Sequence, residues 1–179
     1  MDIDLSTNLD SFKPMIAPLI TGDAGLATGS WLMKQSRTTR GFKREFISRC
    51  YNQIIRTTMK TKFVDAQCGF KAIRRDVAQK LLPHIKDTAW FFDTELLVKA
   101  EYNGYKIHEG PVEWIEDTDS RVDVVKTATE DIKGLSRVRQ EYGQSSFGEM
   151  VAFGGLLLFT AIFYLWNLTI NGMANSYYA

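Results

Sequence analysis

Apolar residues recur at helical spacing in two long segments of the chain. Between residues 38 and 59, the apolar positions are Phe42, Phe46, Ile47, Cys50, Ile54 and Ile55, and basic side chains stand among them. Residues 121–143 repeat this pattern with Val122, Val125, Ile132, Leu135 and Val138. Such spacing places apolar side chains on one face of a helix. We therefore predict two amphipathic helices, and the basic face of the first is either solvated or meets an anionic lipid or phosphate.

Shorter elements lie before and between these two helices. The sequence predicts helices over 15–20 and 77–85 and from about Asp93 onward, a strand of small residues over 24–29, and an extended strand over 104–114. We expect that last strand to be kinked at Gly110-Pro111, because proline cannot donate a hydrogen bond within a sheet. Helices and strands mix throughout, which predicts an α/β fold.

The C-terminal part of the chain has a different pattern. Residues 150–170 are almost wholly apolar on all sides, and a helix needs about 20 such residues to span a bilayer. The alternative is a buried core helix, which we consider weaker because the segment is apolar all round. Basic residues precede this segment and none follows it. By the positive-inside rule we expect a single transmembrane helix over 147–170, with residues 1–146 cytoplasmic and residues 171–179 forming an outer loop.

Composition narrows the function classes. The chain has 179 residues, of which 45% are hydrophobic and 24% are charged, and its net charge is +1. This composition is typical of a globular protein. The near-neutral net charge gives no electrostatic reason to expect nucleic acid as the main partner. Cys50 and Cys68 have no metal-type spacing, which favours a reducing compartment. The acidic, polar start is not that of a signal peptide.

Asp2 and Asp4 open the chain in the sequence "MDIDLST". Two carboxylates at a strand tip are suited to a hard divalent cation, Mg²⁺ or Mn²⁺. The alternative is a solvated acidic terminus. A haloacid-dehalogenase-type phosphatase also carries Asp-x-Asp, but no later acidic metal motif of that class follows here.

Further along the chain lie other candidate site residues. Arg44 and Ser48 are four apart on the predicted basic helix, so they share a face that suits one phosphate. Asp93 starts a predicted helix, where it is either an N-cap or a site residue, and Glu95 favours the helix dipole. We expect the acidic pair, the Asp65 loop and Asp93 to lie at the edges of one cleft, as ligand-binding residues do in open α/β sheets.

Five segments together resemble a known family. In chain order they are "MDIDLST", "GFKREFISRCYN", "DAQCGFKAIRRD", "WFFDTELL" and "DSRV". They are similar to the family-2 inverting glycosyltransferases with a GT-A fold, in the branch that transfers a sugar from a nucleotide sugar to polyprenyl or dolichyl phosphate. The resemblance covers residues 1–142. In that family a nucleotide-binding half precedes the Asp-x-Asp. We therefore expect an N-terminally truncated, incomplete GT-A (Rossmann-like) domain followed by one transmembrane helix.

The resemblance implies roles for individual residues. They are metal ligands at Asp2 and Asp4, acceptor-phosphate ligands at Arg44, Ser48 and Arg121, a donor-sugar pocket at Asp65, Gln67 and Lys71, and catalytic residues at Asp93 and Glu95. The chain departs from the family at Ser6, where some relatives carry a metal-binding glutamine. It departs again at Trp31, where the family commonly has an arginine whose loss weakens phosphate binding. The implied reaction is hexose transfer with inversion at the cytoplasmic membrane face.

The tail carries a second resemblance. The sequence "YLWNLTINGMANSYYA" is similar to the first membrane helix and outer loop of multi-spanning glycosyltransferases that use polyprenyl-phosphate sugars. This implies a fused or partner enzyme that consumes the lipid-linked sugar. The alternative function is non-catalytic: a membrane-anchored fragment that binds lipid phosphate or a partner glycosyltransferase subunit.

Overall fold

The structure is a computed structural model that describes residues 7–39, 42–115 and 124–143, together with Gly155. The chain divides into two units, Met1–Gln144 and Ser145–Ala179. The fold below is that of the first unit. Several predicted features lie outside the described residues: Asp2, Asp4, Ser6, Arg121, and, apart from Gly155, the span over 147–170 and the outer loop over 171–179.

The elements confirm the α/β prediction. The strands are β1 (Leu26–Ser30), β2 (Arg37–Thr39), β3 (Lys71–Ile73), β4 (Ile107–Pro111) and β5 (Glu113–Ile115). The α-helices are α1 (Phe12–Ile20), α2 (Phe42–Met59), α3 (Arg75–Leu81), α4 (Phe92–Tyr102) and α5 (Val124–Glu141). Short 3-10 helices occupy Leu9–Ser11 and Leu82–His84.

Strand β1 is the centre of the larger sheet. It pairs antiparallel with β3, with Thr28 opposite Lys71, and parallel with β4, with Ser30 opposite Pro111. Every residue of β1 is buried. Strands β2 and β5 form a separate parallel pair. Because β1 and β4 run in the same direction, their carboxyl ends meet at one edge, where open α/β sheets bind ligands.

Gly29 explains why this strand is built from small residues. A Cβ atom at Gly29 would lie 2.6 Å from the Val112 side chain and 2.9 Å from the sulfur of Cys68. Both neighbours are buried and belong to a core cluster that also contains Met15, Ala27 and Phe70. Gly29 therefore allows the Cys68 loop to approach the sheet closely. The strand predicted over 24–29 spans Leu26–Ser30 in the structure.

Two further predicted elements differ from the structure in where they end or divide, and each difference has a local cause. The extended segment over 104–114, predicted to be kinked at Gly110-Pro111, keeps both of these residues paired with β1, and β4 ends at Pro111. It breaks at Val112, where the chain leaves one sheet for the other, and the Val112 carbonyl accepts the Arg37 N–H at 3.1 Å. The helix predicted over 77–85 begins at Arg75, and its α-helical part ends at Leu81, because Pro83 cannot continue the hydrogen-bond ladder.

The two amphipathic helices are confirmed. Of their described apolar positions, Ile54 and Ile55 in α2 and Leu135 and Val138 in α5 are at most 3% exposed, whereas Phe46 of α2 is 38% exposed. Helix α4 is buried from Thr94 to Ala100, and its two ends are half-buried. Within the described residues no helix is both long and apolar enough to cross a membrane. The span over 147–170 stays a prediction.

Candidate active site

Asp65 fastens a loop to the carboxyl end of β1. Its side chain is fully buried. One carboxylate oxygen accepts the Trp31 N–H at 2.8 Å, and the other accepts the Gln67 N–H at 3.0 Å. The loop that carries Asp65, Gln67 and Cys68 is thereby held at the edge of the sheet where β1 and β4 end. We refer to residues 65–71 as the DAQCGFK loop.

Two residues that were not among the predicted site residues accept hydrogen bonds from the backbone at the start of this loop. Asn52 accepts the Ala66 N–H at 2.8 Å and donates to the Ser48 carbonyl at 2.9 Å. Glu109 accepts the backbone N–H groups of Val64 at 2.8 Å and Asp65 at 3.2 Å. Burial raises the pKa of Glu109 despite these two hydrogen bonds. A polar residue one turn after Ser48 is the signal that would have indicated Asn52; nothing local indicates Glu109.

Ser48 joins helix α2 to the DAQCGFK loop. Its hydroxyl donates to the Gln67 side-chain carbonyl at 2.7 Å, and the residue is 4% exposed. Two residues from different predicted groups, the acceptor site and the donor-sugar pocket, are therefore in direct contact. Arg44 lies one turn earlier on α2, but its side chain lies outside the described part.

Lys71 and Asp93 form the second connection across the site. The Lys71 ammonium lies 3.4 Å from an Asp93 carboxylate oxygen. It also donates to the carbonyls of Ala66, at 3.2 Å, and Cys68. Lys71 therefore contacts both the loop backbone and Asp93. Lys71 is 9% exposed whereas the Asp93 side chain is 37% exposed, so the carboxylate is the accessible member of the pair.

Asp93 is not the N-cap of α4. The N-cap residue is Phe91, which makes no side-chain capping bond, and Asp93 lies inside the first turn. The N-cap interpretation is therefore wrong. A carboxylate in the first turn still gains from the helix dipole. Its accessible side chain is available for a ligand.

Glu95 has a different environment from Asp93, because residues two apart on a helix face different directions. It is fully buried and pairs with Lys99 at 2.7 Å and Arg137 at 2.7 Å. It also accepts the backbone N–H groups of Lys86 at 3.2 Å and Asp87 at 2.9 Å. Burial alone would raise the pKa of Glu95, but hydrogen bonds from Lys99 and the backbone outweigh it and lower that pKa. These contacts join α4 to α5, and the catalytic role of Glu95 stays a prediction.

The metal site predicted at Asp2 and Asp4 lies outside the described residues. In the part of the chain that the structure describes, no group of three or more His, Cys, Asp or Glu side chains is placed to hold a metal ion. Thr7, three residues after Asp4, forms an antiparallel bridge with Trp114, whose ring lies 5.0 Å from that of Trp31. The metal remains a prediction from the sequence.

Comparison with known proteins identifies relatives of this chain. No family model matches it. It is 36% identical over 134 residues to the glycosyltransferase AglD of Haloferax volcanii, covering 75% of this chain and 21% of that protein. It is 32% identical to a dolichyl-phosphate β-glucosyltransferase of Trichomonas vaginalis, covering 69% of this chain and 39% of the relative. The chain is homologous to part of these glycosyltransferases.

A third relative is a dolichyl-phosphate β-glucosyltransferase of Dictyostelium discoideum. It is 29% identical over 148 residues, covering 79% of this chain and 45% of the relative. The chain thus spans less than half the length of these relatives. The resemblance to polyprenyl-phosphate glycosyltransferases is confirmed as homology to dolichyl-phosphate glucosyltransferases. The expected truncation and the likeness of the tail to multi-spanning enzymes stay predictions.

Proposed function

We propose that the protein transfers a hexose from a nucleotide sugar to a polyprenyl phosphate, with inversion, at the cytoplasmic face of a membrane. The observation that carries this proposal is the convergence of Ser48, Gln67, Lys71 and Asp93. They come from three separate segments of the chain, and direct contacts bring them to one site. The homology to dolichyl-phosphate glucosyltransferases supports the same reaction class.

In the proposed reaction, a phosphate oxygen of the acceptor attacks the anomeric carbon from the face opposite the nucleotide. The bond between that carbon and the diphosphate oxygen breaks, and the nucleoside diphosphate leaves with the electron pair. A phosphate monoester is already anionic near neutral pH, so it needs little help from a general base. Asp93 therefore orients the sugar or the acceptor, which is where its exposed carboxylate contributes most.

The remaining residues hold this geometry. Lys71 and Asp65 fix the DAQCGFK loop, and Ser48 connects it to α2, which carries Arg44. Arg44 and Arg121 are proposed to bind the acceptor phosphate, since guanidinium groups suit phosphate oxygens. Asp2 and Asp4 are proposed to hold Mg²⁺ or Mn²⁺, which supplies positive charge to the leaving diphosphate when bound.

A transfer assay tests the proposal. Membranes from cells expressing the protein are given labelled UDP-glucose or GDP-mannose together with polyprenyl phosphate, and the organic phase is analysed for lipid-linked sugar. The names of two relatives specify β-glucosyl transfer, so glucose is the first hexose to test. We expect a lipid-linked sugar of inverted anomeric configuration. Binding of polyprenyl phosphate without transfer from any nucleotide sugar would instead support the non-catalytic function.

A further inference from the structure

Trp90 is the most exposed aromatic side chain among the residues that the structure describes, with 63% of its surface accessible. It lies three residues before Asp93, in the turn that leads into α4. A single exposed apolar residue on a protein surface is common and needs no function. Trp90 differs from such a residue in two respects: its turn is fixed from the other side, and it lies beside the candidate site.

The turn that carries Trp90 is held in place by its neighbour. The Phe92 N–H donates to the Ala89 carbonyl at 3.2 Å, which closes a turn with Trp90 and Phe91 at its centre. Phe91 is 1% exposed. A Cβ atom built at Gly134 would lie 2.3 Å from the Phe91 ring, so the backbone of α5 lies directly against that ring. Because Phe91 is buried in this way, the backbone of the turn is fixed while the adjacent indole is exposed to solvent.

Helices α2 and α4 run parallel beside each other. The Oη atom of Tyr51 in α2 lies 3.1 Å from Oγ1 of Thr94 in α4. About two turns later in both helices, the Tyr102 hydroxyl donates to the Met59 carbonyl. The residues of each pair are 43 positions apart in the chain, so the two helices keep one register between these contacts.

This register places Trp90 beside the part of α2 that is predicted to bind the acceptor phosphate. Counted back by the same 43 positions, Trp90 is level with Ile47, which directly precedes Ser48. Phe46, which is 38% exposed, comes just before that level. Arg44 and Ser48, the predicted phosphate ligands of α2, flank it. The exposed indole therefore lies at the acceptor end of the candidate site.

The chemistry of the acceptor gives an exposed indole a use at this place. A polyprenyl phosphate carries its apolar chain directly on the phosphate, so a protein that binds the phosphate on α2 receives the first isoprene units next to it. An indole ring has a large apolar surface and one N–H group, which suits the boundary between a lipid chain and water. Its apolar surface is removed from water when the chain is bound, which favours binding.

We propose that Trp90 is a specificity residue for the acceptor, whose indole ring packs against the first isoprene units of polyprenyl phosphate while α2 holds the phosphate. The inference rests on the proposed function, from which it takes the acceptor. It assigns Trp90 a contact with the lipid chain and none with the transferred sugar.

Fluorine NMR of the full chain labelled with 5-fluorotryptophan tests this contact without any transfer. The chain has four tryptophans, and the Trp90 signal is the one that disappears in Trp90→Phe. In phosphatidylcholine nanodiscs, added polyprenyl phosphate should shift this signal. Phosphatidic acid, which carries a phosphate monoester on two acyl chains, and inorganic phosphate should both leave it in place. A Trp90 signal that polyprenyl phosphate does not move, or that phosphatidic acid moves equally, would overturn the proposal.

Steady-state kinetics of transfer separate the acceptor from the donor. Trp90→Ala should raise the KM for polyprenyl phosphate about tenfold and leave the KM for the nucleotide sugar unchanged, because only the lipid chain loses apolar contact. Trp90→Phe keeps an aromatic ring and should recover most of this loss. The control Ile20→Ala removes a 78% exposed apolar side chain at the C-terminal end of α1 and should keep both values. A rise in the donor KM alone would place Trp90 against the sugar and would overturn the proposal.

The two experiments distinguish failure of this inference from failure of the proposed function. A complete absence of transfer in the wild type would contradict the proposed function, while the NMR titration would still decide whether Trp90 contacts the lipid chain. Normal transfer together with an unmoved Trp90 signal would contradict only the role of Trp90.

Discussion

Lys71 and Asp93 come from different segments of the chain, and in the folded protein the Lys71 ammonium lies 3.4 Å from the Asp93 carboxylate. The contact joins the DAQCGFK loop to the first turn of α4. Since Lys71 also holds two loop carbonyls, one buried cation fixes both the shape of the loop and the orientation of the carboxylate. The geometry of the candidate site therefore depends strongly on Lys71.

Lys71→Met tests this dependence. Without the ammonium group, two loop carbonyls lose their donor and Asp93 loses its described ion-pair partner. Misplacement of reacting groups by about 1 Å can cost about 10²-fold in rate, so we expect kcat/KM for the nucleotide sugar to fall by about ten- to a hundredfold. Initial rates over a range of donor concentrations measure this fall. The exposed Lys80→Met on α3 is the control, and equal kinetics in the two variants would contradict the role of Lys71.

Glu95→Gln is expected to destabilise the fold. The change removes the buried carboxylate from Lys99 and Arg137, and Lys99 keeps only its ion pair with Glu141. We expect a loss of about 3 kcal/mol, the lower end for a broken buried pair, because Lys99 stays partly compensated. Urea unfolding followed by circular dichroism gives the free energy of unfolding. Glu45→Gln removes an exposed pair with Arg49 and should cost about 0.5 kcal/mol or less. A loss for Glu95→Gln as small as that of Glu45→Gln would contradict the buried network.

The same network predicts that the free energy of unfolding falls at acidic pH. The pKa of Glu95 is lower in the folded protein than in the unfolded chain. Its contribution is therefore present above the ordinary glutamate pKa of about 4.3 and is lost as pH falls through the lowered folded value. Unfolding free energies measured between about pH 3 and about pH 6 should fall more steeply towards acid for the wild type than for Glu95→Gln. Parallel curves would show that Glu95 gains nothing from its partners.

Gly134→Ala is expected to disturb the contact between α5 and the start of α4. The added methyl group would lie 2.3 Å from the Phe91 ring, and overpacking of this kind costs about 1–3 kcal/mol. Thermal unfolding of the single variants and of the double variant with Phe91→Leu measures the coupling. The smaller leucine side chain should make the Gly134→Ala change less harmful than it is in the wild type. Additive effects in the double variant would contradict a direct contact.

Asp4→Asn tests the predicted metal site. Loss of one carboxylate ligand should abolish transfer, and chelation with EDTA should do the same to the wild type. Asp10→Asn, at an exposed acidic residue near the same end of the chain, is the control and should keep normal activity. Normal turnover by Asp4→Asn would remove the metal site from the proposal.

The sequence predicted the parts of this site that depend on local pattern. The basic amphipathic helix that carries Ser48 and the helix that starts near Asp93 both follow from residue spacing, and both are confirmed. The supports of the DAQCGFK loop could not be predicted in this way. Glu109 contacts Val64 and Asp65 from 45 and 44 residues away, and such a pairing exists only after β4 has joined the sheet.

The separation of Asp93 from Glu95 has the same origin. Both are acidic residues in the first turn of α4, and the local sequence does not indicate which of them is buried. The Glu95 carboxylate accepts hydrogen bonds from the Lys86 backbone N–H and the Arg137 guanidinium, which lie 9 residues before it and 42 residues after it. The Asp93 side chain is 37% exposed and pairs with Lys71, which also donates to two loop carbonyls. Long-range packing, which residue spacing does not encode, distinguishes these two carboxylates.

The central claim is that Asp93 orients the reacting groups of a sugar transfer. The most direct measurement is the turnover number of Asp93→Asn with saturating nucleotide sugar and polyprenyl phosphate, beside Asp76→Asn, an exposed aspartate on α3. We predict a fall of about 10²-fold or more for Asp93→Asn, with a loss of about 1 kcal/mol or less in the free energy of unfolding, and normal turnover for Asp76→Asn. Normal turnover by a folded Asp93→Asn protein would contradict the account.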